Sequence, residues 1–319
     1  MHYLNVSVLI LFSAISTVFC QIDHATAEDG PKVVVSIAPL HSLATGLMAK
    51  DNPPHLLVKN GTSPHTYALR PSDATALQQA DLIFWVGKSL ETFLAKPLKN
   101  KTGKGLITTL HKADGIKILA NRGSGDWGHE SLSDHDDHDH HDHGAEEGDM
   151  HLWLDPFNAK VIVGVMADAL ITADQKNREI YIKRKNRLFD QLYSLDMELE
   201  KKLAPFRDVP FMVFHDGFQY FERRYRLNAV GAITPSAQKS PGARRIDRVE
   251  KILEKSQIHC LFQEPQFSSA IVKAVIGKKN VEIGLLDPMG SGFNPGADHY
   301  FRTMVAIADS LADCLSTKK

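Results

Sequence analysis

The body of this sequence lacks three things: an excess of charge of either sign, an abundance of cysteine, and an apolar run long enough to cross a bilayer. The 37 lysines and arginines nearly cancel the 38 aspartates and glutamates, leaving a formal net charge of -1. No global field therefore draws the chain to nucleic acid or to an anionic membrane surface. Beyond the N-terminal leader no apolar run approaches the ~20 residues of a membrane-spanning helix. Phosphate-cradling loops are missing too: Gly290-Ser291-Gly292 is too short, and no Walker-type lysine follows it. ATP hydrolysis would have to come from a separate chain. No H-E-x-x-H helix is written into the sequence either.

Only three cysteines are present, and one lies in a segment expected to be removed. Leu4 to Cys20 (LNVSVLILFSAISTVFC) is apolar, polar residues follow, and Ala25-Thr26-Ala27 forms an A-x-A pattern before Glu28. This is the layout of a secretory signal peptide, too short and wrongly flanked for a membrane span. Its n-region offers only His2 as a positive side chain. Cleavage after Ala27 and export to the periplasm are expected. Acylation at Cys20 is the alternative, with the bulky Phe19 where a small residue belongs. Cleavage leaves Cys260 and Cys314, an even pair in an oxidising compartment. A bridge between them would close a loop of about 55 residues, worth ~3–5 kcal/mol in the chain-entropy account. The competing reading makes Cys260 and His259 metal ligands; the apolar strand pattern IHCLF around Cys260 favours the bridge.

What the chain does have is strands alternating with helices. Its 43% hydrophobic and 24% charged content is that of an ordinary globular protein, and 319 residues is long for one core, so about two domains are expected. KVVVSI (32–37) reads as a buried parallel strand. Further strands are expected at 55–58, 82–87 and 106–110, with helices from Pro39, from Arg70-Pro71 and over 89–98. Asp155-Pro156 starts a helix to about Ala173. Strands at 211–215, 229–233, 258–264 and 281–286 then alternate with helices at 220–225, 246–255, 269–277 and 299–315. Such alternation is the signature of doubly wound α/β lobes. Between the halves, 175–203 holds an apolar stripe of Ile180, Leu188, Leu192, Leu195, Leu199 and Leu203 with no glycine or proline. At ~1.5 Å per residue it would be a rigid strut about 40 Å long. The expected organisation is a leader (1–27), a first α/β lobe (28–174), a linking helix (175–204) and a second α/β lobe (205–319). No residue-level repeat relates the halves.

The most conspicuous stretch is 128–154, GHESLSDHDDHDHHDHGAEEGDMHLWL, part of an expected loop over 126–150. It holds seven of the 16 histidines, interleaved with aspartates and glutamates. It has no apolar period of 2 or 3.6, so it has nothing to bury. Dense histidine tracts read as metal-binding on composition, since imidazole suits zinc, copper and nickel. A tract of this kind supplies no rigid, selective site. In open α/β sheets, ligands lie beyond the carboxyl ends of strands. That rule selects His65 after the second strand, His215 at the end of PFMVFH, and Asp287 at the end of VEIGLL. His151 stands in MHLWLDP, between the histidine run and the next helix. Three imidazoles and a carboxylate from both halves suit a borderline-soft cation such as Zn²⁺. Singly, a strand-end histidine is more often a capped or exposed side chain. His41, His55, His111, His259 and His299 lack ligand spacing and read as ordinary loop or surface histidines. Arg70 and Asp73 stay open between support for His65 and a helix-start salt bridge. Trp85 and Trp153 read as core aromatics.

The segments SPHTYALRPSD (63–73), ADLIFWVG (80–87), MHLWLDP (150–156), FMVFHDGFQYF (211–221), FQEPQF (262–267) and GLLDPMG (284–290) resemble those of the ZnuA-type periplasmic zinc-binding proteins. These are metal receptors of ABC transporters, in a cluster that also includes manganese receptors and adhesin-like lipoproteins. The resemblance runs in order across essentially the mature chain, and P-H-x-Y-x-L-R-P-S-D and H-L-W-L-D-P are its specific motifs. It implies two Rossmann-like α/β lobes, each a mainly parallel sheet flanked by helices, joined by one long rigid helix. The metal would lie in the cleft between them, with an acidic His-rich loop alongside. By motif, the ligands fall on His65, His151 and His215. The fourth position varies among relatives between the L-D-P aspartate, here Asp287, and water. The glutamate that others carry before the first histidine is here Pro64. Zinc receptors resemble this chain in having histidine at the third position, where manganese receptors tend to have glutamate, a harder ligand. Cys260 and Cys314 also match a disulfide of some zinc-receptor relatives.

The implied function is capture of Zn²⁺, as transported ligand, and delivery to the permease of an ABC transporter whose ATPase is a separate chain. No catalytic residues are expected. His129, His135, His138, His140, His141 and His143 would form an accessory low-affinity site, passing metal to the cleft or to another protein such as a periplasmic metallochaperone. A monomer without nucleic-acid partners is expected. Two readings compete. One is a zinc hydrolase using the three histidines, although no glutamate is placed as an obvious general base. The other is an extracellular metal buffer or adhesin with the histidine run as its working part.

Overall fold

The computed structural model describes residues 30–316 apart from 60, 124–126, 128–147, 239–240 and 278; the leader lies outside the described residues. β1 (Val33–Ile37) is buried on both faces, as its β-branched run requires. It leads into α1 (Ala38–Leu47), and β2 (His55–Val58) pairs with it in parallel. α2 (Pro71–Gln79), β3 (Leu82–Trp85), α3 (Thr92–Lys99) and β4 (Leu106–Thr109) complete a parallel sheet of order β2-β1-β3-β4. Next come α4 (Pro156–Ala173), capped by the Asp155 carboxylate accepting from the Phe157 N–H, and α5 (Arg178–Leu203). The second half supplies β5 (Phe211–His215), α6 (Gln219–Tyr225), β6 (Ala229–Thr234) and α7 (Ala243–Lys255). It ends with β7 (Cys260–Gln263), α8 (Ser269–Ile276), β8 (Glu282–Leu285) and α9 (His299–Ser316). Its sheet is also parallel, of order β6-β5-β7-β8. The halves thus repeat each other in topology where they do not in sequence.

Period-2 alternation sends the two faces of each sheet to different cores. Val34, Ile83 and Trp85 face a small cluster with Leu94 and Leu98, and Met212, Phe214 and Leu261 face another with Val249 and Val272. The opposite faces, Val33, Val35 and Ile37 in β1 and Phe211, Val213 and Phe262 in the second sheet, join α1, α4, α5 and α9 in one continuous core. α4 is 18 residues long and apolar enough to cross a membrane by length and composition, against the expectation that no such run exists. An apolar circumference also suits a core helix, and α4 packs against α5, α1 and β3. Cys260 and Cys314 are bonded, with Cα atoms 6.0 Å apart, tying β7 to α9 across a separation of 54 residues. In the chain-entropy account that closure is worth about 4 kcal/mol.

Three expectations shift. His41 and His299 are buried, each ring bonded through Nε2 to a carbonyl 3.0 Å away, Pro54 and Gly290 respectively; burial lowers His41 to a pKa of about 4. The linking segment opens with a 3-10 turn over Gln175–Asn177 before the 26 residues of α5 begin. Its stripe buries Tyr181 in place of Ile180, which is 46% exposed. Tyr181 lies two turns before Leu188, whereas Ile180 sits roughly 80° further round the helix. The Tyr181 hydroxyl also donates to Asp174 Oδ2 (2.9 Å). Leu199→Ala is therefore expected to cost about 2–5 kcal/mol and Ile180→Ala less than about 1 kcal/mol. Urea unfolding of the two variants checks the assignment, and equal losses would contradict it.

Candidate metal centre

His65 stands in the loop between β2 and α2. Asp73, on the first turn of α2, holds that loop by accepting from the Tyr67 hydroxyl (2.7 Å) and the Arg70 backbone N–H (3.1 Å), with His55 Nε2 at 3.4 Å. Among the described residues no ion pair joins Arg70 to Asp73; the carboxylate anchors the loop that carries His65. His151 follows an antiparallel bridge between Leu119 and Asp149 and precedes the 3-10 turn Leu152–Leu154. Asp149 Oδ1 accepts from both the backbone N–H (2.9 Å) and Nδ1 (2.8 Å) of His151. Trp153 is buried as expected, its Nε1–H donating to the Pro288 carbonyl (2.9 Å). His215 ends β5, and its Nδ1 pairs with Glu264, just beyond β7. β5 and β7 flank the point where the strand order reverses, the crevice in which open α/β sheets hold ligands. Gly217 makes the approach feasible: a Cβ there would run into the His215 ring.

From these separate segments the three rings converge. His65 Nε2 and His215 Nε2 each lie 3.3 Å from His151 Nε2, and one ligand atom from each ring falls within 4.8 Å of the others. The cavity they line, with Pro64, Trp153, Glu264 and Met289, measures ≈ 10 Å³, about the room one water molecule needs. Withdrawal from water, reinforced by the other two imidazoles, holds the His65 pKa well below the usual histidine value. Burial opposes the cation at His215 as well, but the Glu264 carboxylate outweighs it and raises the pKa.

Asp287 does not join the cluster. Its oxygens accept from Gln266 Nε2 (2.9 Å), the Met289 N–H (3.0 Å) and the N–H and hydroxyl of Ser291. It organises the turn after β8, because the N–H groups of D-P-M-G-S curl back onto its carboxylate. The sequence reading also passed over Asp149 and Glu264. Asp149 could have been found as a carboxylate two residues before a candidate ligand. Glu264 needed the pairing of β5 with β7.

The flanks of the histidine run are fastened to the second lobe. The Leu119 N–H donates to the Tyr220 hydroxyl (3.0 Å), which donates to the Asp149 carbonyl (2.7 Å). Arg122 pairs with Asp216 and Glu222 and lies over the Trp127 ring, 3.4 Å from its centroid. Burial pushes Glu222 up to about 7 against the pull of Arg122. His129, His135, His138, His140, His141 and His143 lie outside the described residues.

Two parallel α/β lobes on a shared helical core, with three imidazoles meeting in the crevice, define a two-lobed metal-binding receptor. The chain belongs to the ZnuA family, described as the periplasmic component A of a zinc-uptake complex, whose profile matches residues 33–314. It is 38% identical to the high-affinity zinc uptake system protein ZnuA of Brucella suis, over 98% of this chain and 99% of that one. Against the protein of the same name from Yersinia pestis it is 33% identical, over 89% and 91%. A solved structure, the periplasmic zinc binding protein TroA from Treponema pallidum, superposes with a TM-score of 0.73 at 20% identity, covering 90% of this chain and 99% of that one. At that identity the likeness is one of fold.

A ring must lose its Nε2 proton to bind metal. His65, with its lowered pKa, stays neutral on acidification, whereas His215, with its raised pKa, is protonated first. Zinc affinity is expected to fall with pH through a window that opens above the ordinary histidine value of about 6.5. Chelator-competition titrations between about pH 5.5 and 8 read the onset. Glu264→Gln removes the raising partner and should move the onset lower; an unmoved onset would show that Glu264 does not set it.

Proposed function

We propose that this chain captures one Zn²⁺ at His65, His151 and His215 and delivers it to a membrane permease in an ABC transport system. One observation carries the reading. A tetrahedron with arms of about 2.0–2.1 Å has edges of about 3.3–3.4 Å, and His65 Nε2 and His215 Nε2 each lie 3.3 Å from His151 Nε2. Two of the three edges thus match a tetrahedral zinc shell, which supports the three histidines as its nitrogen donors. With Asp287 engaged in its turn, water takes the fourth corner. Three nitrogen donors and no charged oxygen favour Zn²⁺ over Mn²⁺.

The hydrolase reading is weaker on space. A cavity of ≈ 10 Å³ suits an ion with its water and leaves little room for an ester or peptide beside them. Glu264 is spent on His215 Nδ1, behind the ring, and is no general base for the open corner. The chain is thus a receptor and not an enzyme. It works in the periplasm as a monomer after cleavage following Ala27, with the ATPase on another chain. The histidine run gathers metal for the cleft or for a metallochaperone.

Isothermal titration with Zn²⁺ tests the assignment. The His65→Ala/His151→Ala/His215→Ala variant should lose the single tight site, and deletion of 128–147 should keep it. That deletion stops short of Asp149, which holds His151. Tight binding that survives the triple substitution and vanishes with the deletion would make the chain a buffer.

A further inference from the structure

Each ring nitrogen that faces away from the centre has a partner, and the three partners differ. His151 Nδ1 meets Asp149 at 2.8 Å and His215 Nδ1 meets Glu264, carboxylates carried by the same lobe as their ring. His65 Nδ1 instead meets the side-chain amide of Gln238, whose Nε2 is 3.1 Å away and 173 residues further along the chain, in the other lobe. The turn carrying Gln238 follows β6. Thr234 Oγ1 donates to the Ser236 carbonyl (2.9 Å) and accepts from the Ser236 N–H (3.3 Å). The Ser236 hydroxyl donates to Gln238 Oε1 and accepts from the Gln238 backbone N–H.

A ring that gives Nε2 to a metal carries its proton on Nδ1 and must donate there. A carboxylate facing Nδ1 accepts there, so Asp149 and Glu264 hold His151 and His215 in that tautomer with or without metal. At His65 the partner is an amide, which can donate or accept: with its nitrogen toward the ring, Nδ1 would accept and the proton would sit on Nε2, where a metal would bind. A half-turn of the amide reverses this. Oε1 then accepts from Nδ1–H, and the amide nitrogen turns to the Ser236 hydroxyl, which accepts as readily as it donates.

We propose that Gln238 is a positioning residue for His65: a contact across the crevice whose amide turns over on metal binding and fixes the third imidazole in its metal-binding tautomer. Two ligands are held by their own lobe in either state. The third is held by the opposite lobe, and only while the lobes are together, so separating them loosens the ion at this ring first. The inference rests on the three-histidine reading of the site.

The test uses the mature protein, Zn²⁺ and a competing chelator, with release rate and affinity measured separately. Gln238→Ala is expected to speed release about tenfold, the lower end of the range for lost partners behind metal-bound histidines, because this amide is exposed and uncharged. The association rate and the melting temperature of the metal-free protein should not change. Gln238→Glu, a permanent acceptor, should retain the ion at least as long as the unaltered protein. Release from Gln238→Ala within about twofold of the unaltered protein, while His65→Ala loses tight binding, would overturn this inference alone. So would a fall in the metal-free melting temperature of Gln238→Ala. Tight binding that persists in His65→Ala would overturn the metal-centre reading beneath it.

Discussion

Two imidazole nitrogens, each held 3.3 Å from that of His151 though they lie 86 and 64 residues away in the chain, form the constraint on which the rest of the structure depends. Imidazoles left to themselves would turn to water. Holding them together needs a fixed partner behind each ring and a fixed backbone beneath each partner. Asp149 is fixed by the Leu119 bridge and Tyr220 by its two hydrogen bonds, and Glu264 is fixed by the parallel pairing of β5 with β7. The His65 loop is fixed by Asp73 at the start of α2. Every one of these anchors is a hydrogen bond or strand pair away from the metal corner.

Such precision between two lobes requires that the lobes share more than a hinge. The continuous core through α1, α4, α5 and α9 supplies that, since interiors packed to crystal-like density transmit displacement instead of absorbing it. Tyr300 shows the linkage in one side chain: its hydroxyl donates to the Trp153 carbonyl beside His151, and its backbone N–H donates to the Ser42 hydroxyl in α1. The disulfide from β7 to α9 fastens the Glu264 side of the crevice to the same helix layer. Motion between the lobes would then be felt first at the crevice, where His65 Nδ1 meets Gln238 and the rings of His65 and His151 meet His215.

Local chemistry explains which features were legible in the sequence. The β-branched run of β1, the Asp155-Pro156 start of α4 and the strand-end position of His215 are each decided within a few residues, and each stands where the sequence put it. Ile180 was misplaced because it is the more apolar of two neighbours, although Tyr181, two turns before Leu188, is the one in phase with the leucine stripe of α5. Asp287 looked like a ligand because a carboxylate at a strand end suits a cation. What overrides it is a tight turn whose own N–H groups occupy the oxygens, and spacing does not reveal that. Glu264 and Gln238 were beyond reach for another reason: their partners lie 49 and 173 residues away, and only the strand order brings them together. The histidine run drew the eye by composition; among the described residues its last member, His151, belongs to the convergent cluster.

Charge accounts for a site with no carboxylate in contact with the ion. Three neutral imidazoles bring no charge of their own, but the Asp149 and Glu264 carboxylates stand one ring behind. A divalent cation at the centre is balanced by that pair through the rings. Asp216, next along from His215, adds to the negative field that raises that ring, and shares Arg122 with Glu222. Moving the negative charge one ring back leaves the contact atoms soft while keeping the electrostatic well deep. Were Asp287 also at the centre, the excess of negative charge would favour harder cations and retain protons more strongly. Its withdrawal into the turn after β8 thus follows the same logic that placed Asp149 and Glu264 behind their rings.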